Sequence, residues 1–170
     1  MSVILRAVEP ADAQTYKQAR LHALQTEPTA FVSAYETAAK LPDNHFVERA
    51  TFKSDSFLFG AFNEAGTMIG MAGGYIDPER KRQHIAYVVS VWVHDDYRRQ
   101  GLARRLTENV IDQLRNTAGI TQLELSVSAH NTGAKILYES LGFAQWGKEP
   151  RSIKIGDEYY DEIHMAMRSG

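Results

Sequence analysis

The chain has 170 residues, of which 44% are apolar and 24% charged, and its formal net charge is −2. That composition suits a globular fold burying roughly 70% of its unfolded surface without a disulfide or metal staple. The lack of cysteine excludes disulfide frameworks, thiolate zinc sites and a cysteine nucleophile, and the slightly acidic balance offers no positive field to recruit nucleic acid or an acidic membrane.

The run Val3, Ile4, Leu5 is too short for a signal-peptide core, and no apolar stretch of about 18 residues exists to span a bilayer. No internal repeat or linker divides the chain, so one cytoplasmic domain over 1–170 is expected.

Val3 to Ala7 reads as a first strand. Pro10 and Asp12 open a helical pattern to about Leu24, with Ala19, Ala23 and Leu24 on its apolar side, and Pro28 breaks it. A weaker helix is expected between Pro42 and Thr51. Phe57 to Phe62 alternates as a strand, Asn63 to Gly66 turns, and Thr67 to Ile76 returns antiparallel. Gly70, Gly73 and Gly74 in that return predict a bulge or a close backbone approach. After the polar turn Asp77 to Gln83, Ile85 to Val93 is apolar on both parities, the pattern of a strand buried on both faces and therefore central.

A helix from Gly101 to Thr117 carries Leu102, Ala103, Leu106, Val110, Ile111 and Leu114 on one stripe. Leu123, Leu125 and Val127 form the next strand, and a helix from Asn131 to Leu141 closes at Gly142, a residue suited to the αL cap. Two last strands are expected, Phe143 to Pro150 and Ile153 to Met167, the second broken by a Gly156-Asp157 turn. This order implies a mixed α/β domain, a twisted mixed central sheet with helices on both faces.

The chemistry concentrates where the central strand meets the long helix. Arg98, Arg99, Arg104 and Arg105 cluster at the helix N-terminus, where the positive end of the dipole disfavours cations by roughly 0.3–1 kcal/mol each. An anion bound there removes the conflict, because first-turn N–H groups, dipole and guanidinium groups then all face its oxygens. Gly101 permits close approach and Ala103 adds no bulk. The alternative is a solvated arginine face with Gly101 as a plain helix start. Neither Gly-x4-Gly-Lys-Ser/Thr nor Gly-x-Gly-x-x-Gly is present, so this is not a common nucleotide loop.

Arg98-x-x-Gly101-x-Ala103, after a strand ending Val91-x-Val93, resembles the acetyl-coenzyme A signature of the GNAT superfamily of N-acetyltransferases. The segment Asn131-x-x-Ala134-x-x-x-Tyr138-Glu139-x-Leu141-Gly142-Phe143 resembles the second motif of the same superfamily, and together the two cover Ile85 to Phe143. Asp95 stands where relatives often carry proline and Arg99 where they often carry glycine. Neither change removes a backbone N–H.

The resemblance implies a GNAT-type acyl-CoA N-acyltransferase fold, acetyl-CoA as cofactor, and direct acetyl transfer to a primary amine of a small molecule or protein. It implies that the strand before the loop splays from its neighbour at a bulge, leaving main-chain groups around Val91, Trp92 and Val93 for the pantetheine arm. An N–H near Val91 would stabilise the tetrahedral oxyanion. Arg98 opens the loop, and the backbone N–H groups of Arg99, Gln100, Gly101, Leu102, Ala103 and Arg104 would hold the pyrophosphate. The Arg104 side chain either reaches a phosphate or is solvated. Asn131 touches the cofactor, caps its helix, or does both, and Ala134 keeps that face thin.

Tyr138 shares the face of Asn131 across two turns and is implied to be the general acid for the departing thiolate. A free thiol titrates at about 8.5, so its loss would slow turnover rather than abolish it. The alternative is a core tyrosine with its hydroxyl tied up.

The attacking amine needs a base. Relatives sometimes carry a glutamate on the strand before the second motif; here that position is Ser126, with Glu124 nearby on the same face. Glu36 and His84 are further candidates, each with a surface or structural alternative. Asp161 interrupts the apolar side of the last strand (Tyr159, Ile163, Met165, Met167), where a carboxylate needs a partner, a substrate ammonium or, as the favoured account, loop N–H groups. The acidic group Asp157, Glu158, Asp161 and Glu162 suits a cationic substrate or a solvated hairpin. The histidines show no metal-ligand spacing, so no metal is expected.

The alternative to an enzyme is a non-catalytic acyl-CoA-binding sensor or scaffold. Nucleic-acid binding is not expected, because the arginines lack interleaved aromatics. Family members often dimerise, and a homodimer is compatible with this sequence.

Overall fold

The computed structural model describes residues 2–169. Strands β1 (Ile4–Ala7), β2 (Ser56–Phe62), β3 (Met68–Ile76), β4 (Ile85–Val93), β5 (Gln122–Ser128), β6 (Ala144–Ile155) and β7 (Glu158–Arg168) form one sheet, ordered β1-β2-β3-β4-β5-β7-β6. Every neighbouring pair is antiparallel except β4 and β5, whose parallel connection carries a helix. The helices are α1 (Ala13–Thr26), α2 (Tyr35–Ala38), α3 (Asp43–Ala50), α4 (Leu102–Arg115) and α5 (Thr132–Ser140). None is long and apolar enough to cross a membrane.

Strand alternation divides the apolar residues between two cores. Phe57, Ala61, Ile69 and Ala72 join the α4 stripe (Leu102, Leu106, Val110, Ile111, Leu114) on one face. Leu58, Phe62, Met68, Met71 and Trp92 meet Tyr16, Ala19 and Ala23 of α1 and Phe46 and Ala50 of α3 on the other. The expected mixed sheet with helices on both faces is therefore observed.

The glycines of β3 serve close approach. A Cβ on Gly70 would stand 3.1 Å from Leu106 Cδ1, and one on Gly74 3.1 Å from Val110 Cγ1, so α4 lies down on bare backbone. The register of β2 on β3 does shift beside Gly70, between Ala61 and Phe62. A second bulge, flanked by Gly73 on the facing strand, falls on β4. There the pairing passes from Gly73↔Val89 to Met71↔Trp92, and Ser90 takes φ 57.

The C-terminal hairpin differs from expectation. Gly156 and Asp157 separate β6 from β7 rather than breaking the last strand. Proline lacks the N–H a ladder needs, yet β6 runs on past Pro150 because a register shift between Glu149 and Ile153 takes the proline off the ladder. Arg151 in that shift adopts φ 56 and gives its N–H to the Asp161 carboxylate at 2.8 Å.

Candidate active site

Strands β4 and β5 pair only at Ile85↔Gln122, Ala86↔Leu123 and Tyr87↔Glu124, then part. The bulge at Ser90 turns β4 away, and beyond Tyr87 its edge toward β5 has no strand partner. A cleft of about 550 Å³ opens in the gap. Its walls are residues 88–93 of β4, 126–128 of β5, the loop and first turn of α4, and the Asn131, Ala134 and Tyr138 face of α5, with Glu27, Ala30 and Phe31 closing one side.

Every residue that the sequence assigned to cofactor binding lines this cleft except Gln100. Trp92 does so from behind, its indole buried in the second core.

The loop before α4 presents main chain. Gly101 at φ 75 and Arg99 at φ 58 turn it, and no side chain caps the helix. Among the described residues, the N–H groups of Arg99 through Arg104 donate no hydrogen bond within the protein. Orphan donors at the positive end of a helix form an anion seat.

The arginine side chains do not converge on it as a group. Arg98 donates to Glu27 and to Asp95 (2.8 Å), and its Nε bonds the Val93 carbonyl at 3.1 Å. Arg104 bridges to the Ser140 hydroxyl on α5 and to Glu108. Arg105 lies outside the cleft. Arg99 lines it with no ion-pair partner among the described residues. The sequence could not show this division, since Glu27 arrives from a distant helix end.

On α5, Asn131 is the cap: its Oδ1 accepts from the Ala134 N–H at 3.1 Å. Tyr138 is buried edge-on to Phe143, with ring centroids 6.2 Å apart. Its hydroxyl has no hydrogen-bond partner among the described residues, so it is not the tied-up core tyrosine of the alternative account. Burial pushes this phenol far above the ordinary tyrosine range, and it keeps its proton at any physiological pH.

The base candidates separate clearly. Glu36 and His84 do not line the cleft; His84 stands ahead of β4, at the end where the strands still pair. Glu124 also lies outside it and accepts from Gln122. Ser126 does line it, and its Oγ lies 2.8 Å from His164 Nδ1, while His164 Nε2 lies 3.0 Å from Glu149 Oε2. This chain crosses three strands and escaped sequence reading. Its signal is the β5–β7 register, which sets Ser126 opposite His164.

Asp161 is an anchor. Lys148 at 2.8 Å and the Arg151 N–H occupy its carboxylate, and the Lys148 ammonium holds it below the usual carboxylate range.

Comparison with known proteins places this geometry in a family. The sequence model of the Acetyltransferase (GNAT) family matches residues 19–143. The [Ribosomal protein bS18]-alanine N-acetyltransferase of Escherichia coli strain K12 is 48% identical over 82 residues, 48% of this chain and 55% of that protein. The chain thus spans about half the length of the curated relatives it matches. The crystal structure of that activity's enzyme from Escherichia coli superposes with a TM-score of 0.72 at 25% identity, covering 99% of this chain and 95% of that one. A GNAT-family acetyltransferase of Streptococcus pneumoniae superposes at 0.86 with 21% identity, covering 99% of this chain and 100% of the other. With a family match over most of its length and this strand order, the chain belongs to the GNAT acetyltransferase family.

Proposed function

We propose that the chain, with residues 1–170 working as one cytoplasmic domain, transfers the acetyl group of acetyl-CoA directly to a primary amine of a small molecule or protein. The observation that carries this reading is the row of unpaired N–H groups from Arg99 to Arg104, opening into the cleft where β4 leaves β5. Those donors, the helix dipole and the unpaired Arg99 suit a pyrophosphate. The β4 edge at Val91, Trp92 and Val93 offers main-chain groups to an extended arm, as an added strand would use them. The cleft volume of about 550 Å³ falls in the range of small-molecule and cofactor sites.

Bound there, acetyl-CoA supplies the activated acyl group. Tyr138, still protonated and with its hydroxyl free, protonates the departing sulfur. An N–H near Val91 steadies the oxyanion. The relatives support both halves of the reading. The Escherichia coli relative is named for acetylating an alanine of a ribosomal protein, and yncA of Salmonella typhimurium (TM-score 0.84, 18% identity) was solved with its cofactor acetyl-CoA.

The test is release of free thiol from acetyl-CoA across an amine panel that includes peptides with a free N-terminus. Release that depends on the amine is expected. Tight acetyl-CoA binding with no release on any amine would favour the sensor instead.

A further inference from the structure

Behind Ser126 the Glu149 carboxylate sets the direction of the hydrogen bonds for a neutral His164. A carboxylate only accepts, so His164 Nε2 donates to Glu149 across 3.0 Å. A neutral imidazole with its proton on Nε2 has Nδ1 as acceptor, so Ser126 donates its hydroxyl to Nδ1 across 2.8 Å. Ser126 lines the cleft, and its Oγ then receives no donor from the described residues.

The imidazole is held from several sides. It pairs across the sheet with Ser126 on β5 and Gly147 on β6, and the Trp146 ring stacks on it at 5.3 Å and 27°.

We propose that Ser126, His164 and Glu149 form the relay that removes the proton of the attacking amine, an inference resting on the acetyl-transfer reading above. As the amine nitrogen bonds to the carbonyl carbon, its proton passes to Ser126 Oγ while the Ser126 hydroxyl proton moves to His164 Nδ1. The imidazolium is then held by Glu149. The C–S bond breaks with its electron pair on sulfur, which takes the Tyr138 proton. Solvent collects one proton from His164, whose side chain is 25% exposed, and returns one to Tyr138.

Ser126 and His164 occupy the face of the sheet opposite Leu125, Val127, Ile163 and Met165, which are buried against α4 and α5. The other charged groups on their face are Glu124 on β5, which accepts from Gln122, and on β7 Glu162, which accepts from Ser152, Glu158, which accepts from Tyr160, and Arg168 at the far end opposite Gln122. Beside the turn at Pro28–Ala30, which packs on β5 and β6, stand Glu27, paired with Arg98, and His130, bonded to Thr29 and Ser128. Among the described residues no lysine or arginine pairs with Glu149. The acidic surroundings attract a cationic amine; it gives one proton to solvent, which frees its lone pair, and the relay takes the second proton as the neutral amine attacks.

Two measurements decide the matter. Long-range 1H–15N NMR correlation on the full chain reads the His164 tautomer without any turnover. A proton on Nε2 is expected, and one on Nδ1 overturns the relay. In the thiol-release assay, His164→Gln and Ser126→Ala are each expected to lower kcat about 100-fold while acetyl-CoA affinity changes less than about twofold. The double variant should be no slower than either, because the two act as one path. Ser126→Thr, which keeps the hydroxyl, should retain most of the rate.

The wild-type kcat should fall toward low pH, where the relay can no longer take up the amine proton, and His164→Gln should change that limb. A purely structural role would not move it. Multiplicative losses in the double variant, an unchanged pH profile in His164→Gln, or an acetylated Ser126 in the absence of acceptor would each overturn the proposal. A wild type releasing no thiol with any amine overturns the transfer reading and the relay with it, and an Nε2 proton found alongside identifies transfer itself as what failed.

Discussion

Glu27, at the C-terminal end of α1, accepts from the guanidinium of Arg98 in the loop before α4. Such a partly exposed pair contributes under about 1 kcal/mol to stability. Its importance is positional, because the same guanidinium also bonds Asp95 and the Val93 carbonyl and so sets the loop against the end of β4. Glu27→Gln should therefore weaken acetyl-CoA binding by about two- to fivefold in calorimetric titration. An Arg98 whose task is to touch phosphate would instead bind tighter once its competing carboxylate is gone.

Gly101 has open space where a Cβ would stand, yet its φ of 75 is one that side chains resist. Gly101→Ala should lower unfolding free energy in urea by about 1–2 kcal/mol, through backbone strain alone. Gly101→Glu carries the same strain and sets a carboxylate before the unpaired N–H groups. Its acetyl-CoA affinity should fall by about 100-fold beyond the alanine variant, and undiminished affinity would remove the phosphate from this loop.

For Tyr138→Phe, turnover should drop about ten- to 100-fold with acetyl-CoA affinity unchanged. Stability should be nearly unchanged, since the deleted hydroxyl lines the cleft and has no hydrogen-bond partner to lose among the described residues. Because burial raises this phenol above its ordinary range, the wild-type kcat should show no loss from tyrosine ionisation up to about pH 10. Unchanged turnover in the phenylalanine variant would take the acid role from Tyr138.

The Asp161 anchor makes an acid-side prediction. Its carboxyl titrates lower folded than unfolded, chiefly through Lys148 and then the Arg151 N–H. A depressed carboxyl stabilises fully above the unfolded value, about 3.9, and loses that contribution as pH falls through the folded one. Amide exchange at Arg151 should stay slow above about pH 4 and speed up beyond the intrinsic trend below it. Asp161→Ala, which removes the acceptor, should show fast exchange at every pH.

Much of the frame was legible because it rests on periodicity. Apolar residues on both parities of β4 announced a central strand, and the α4 stripe from Leu102 to Leu114 announced the helix that lies on it. The motif at Arg98, Gly101 and Ala103 and the one at Asn131, Ala134 and Tyr138 located one cleft from two distant segments. What stayed hidden depends on strand order and on side chains meeting from afar. Ser126, His164 and Glu149 lie on different strands, and nothing local links them. Glu27 meets Arg98 only because α1 ends beside the loop. The resemblance implied a bulge on this strand, but Ser90 carries no glycine signature, so its place was not fixed until β3 and β4 were paired.

That kink at Ser90 has a wider consequence. By parting two strands, it opens a groove in which, on the proposed reading, the atoms that hold acetyl-CoA belong to the peptide unit, common to every amino acid. One end of the groove can therefore keep its hold on an invariant ligand while substitutions accumulate around it. The opposite end, floored by the side chains of β5 and its neighbours, is free to change what it accepts. A single left-handed residue thus lets constancy and novelty coexist in one small scaffold.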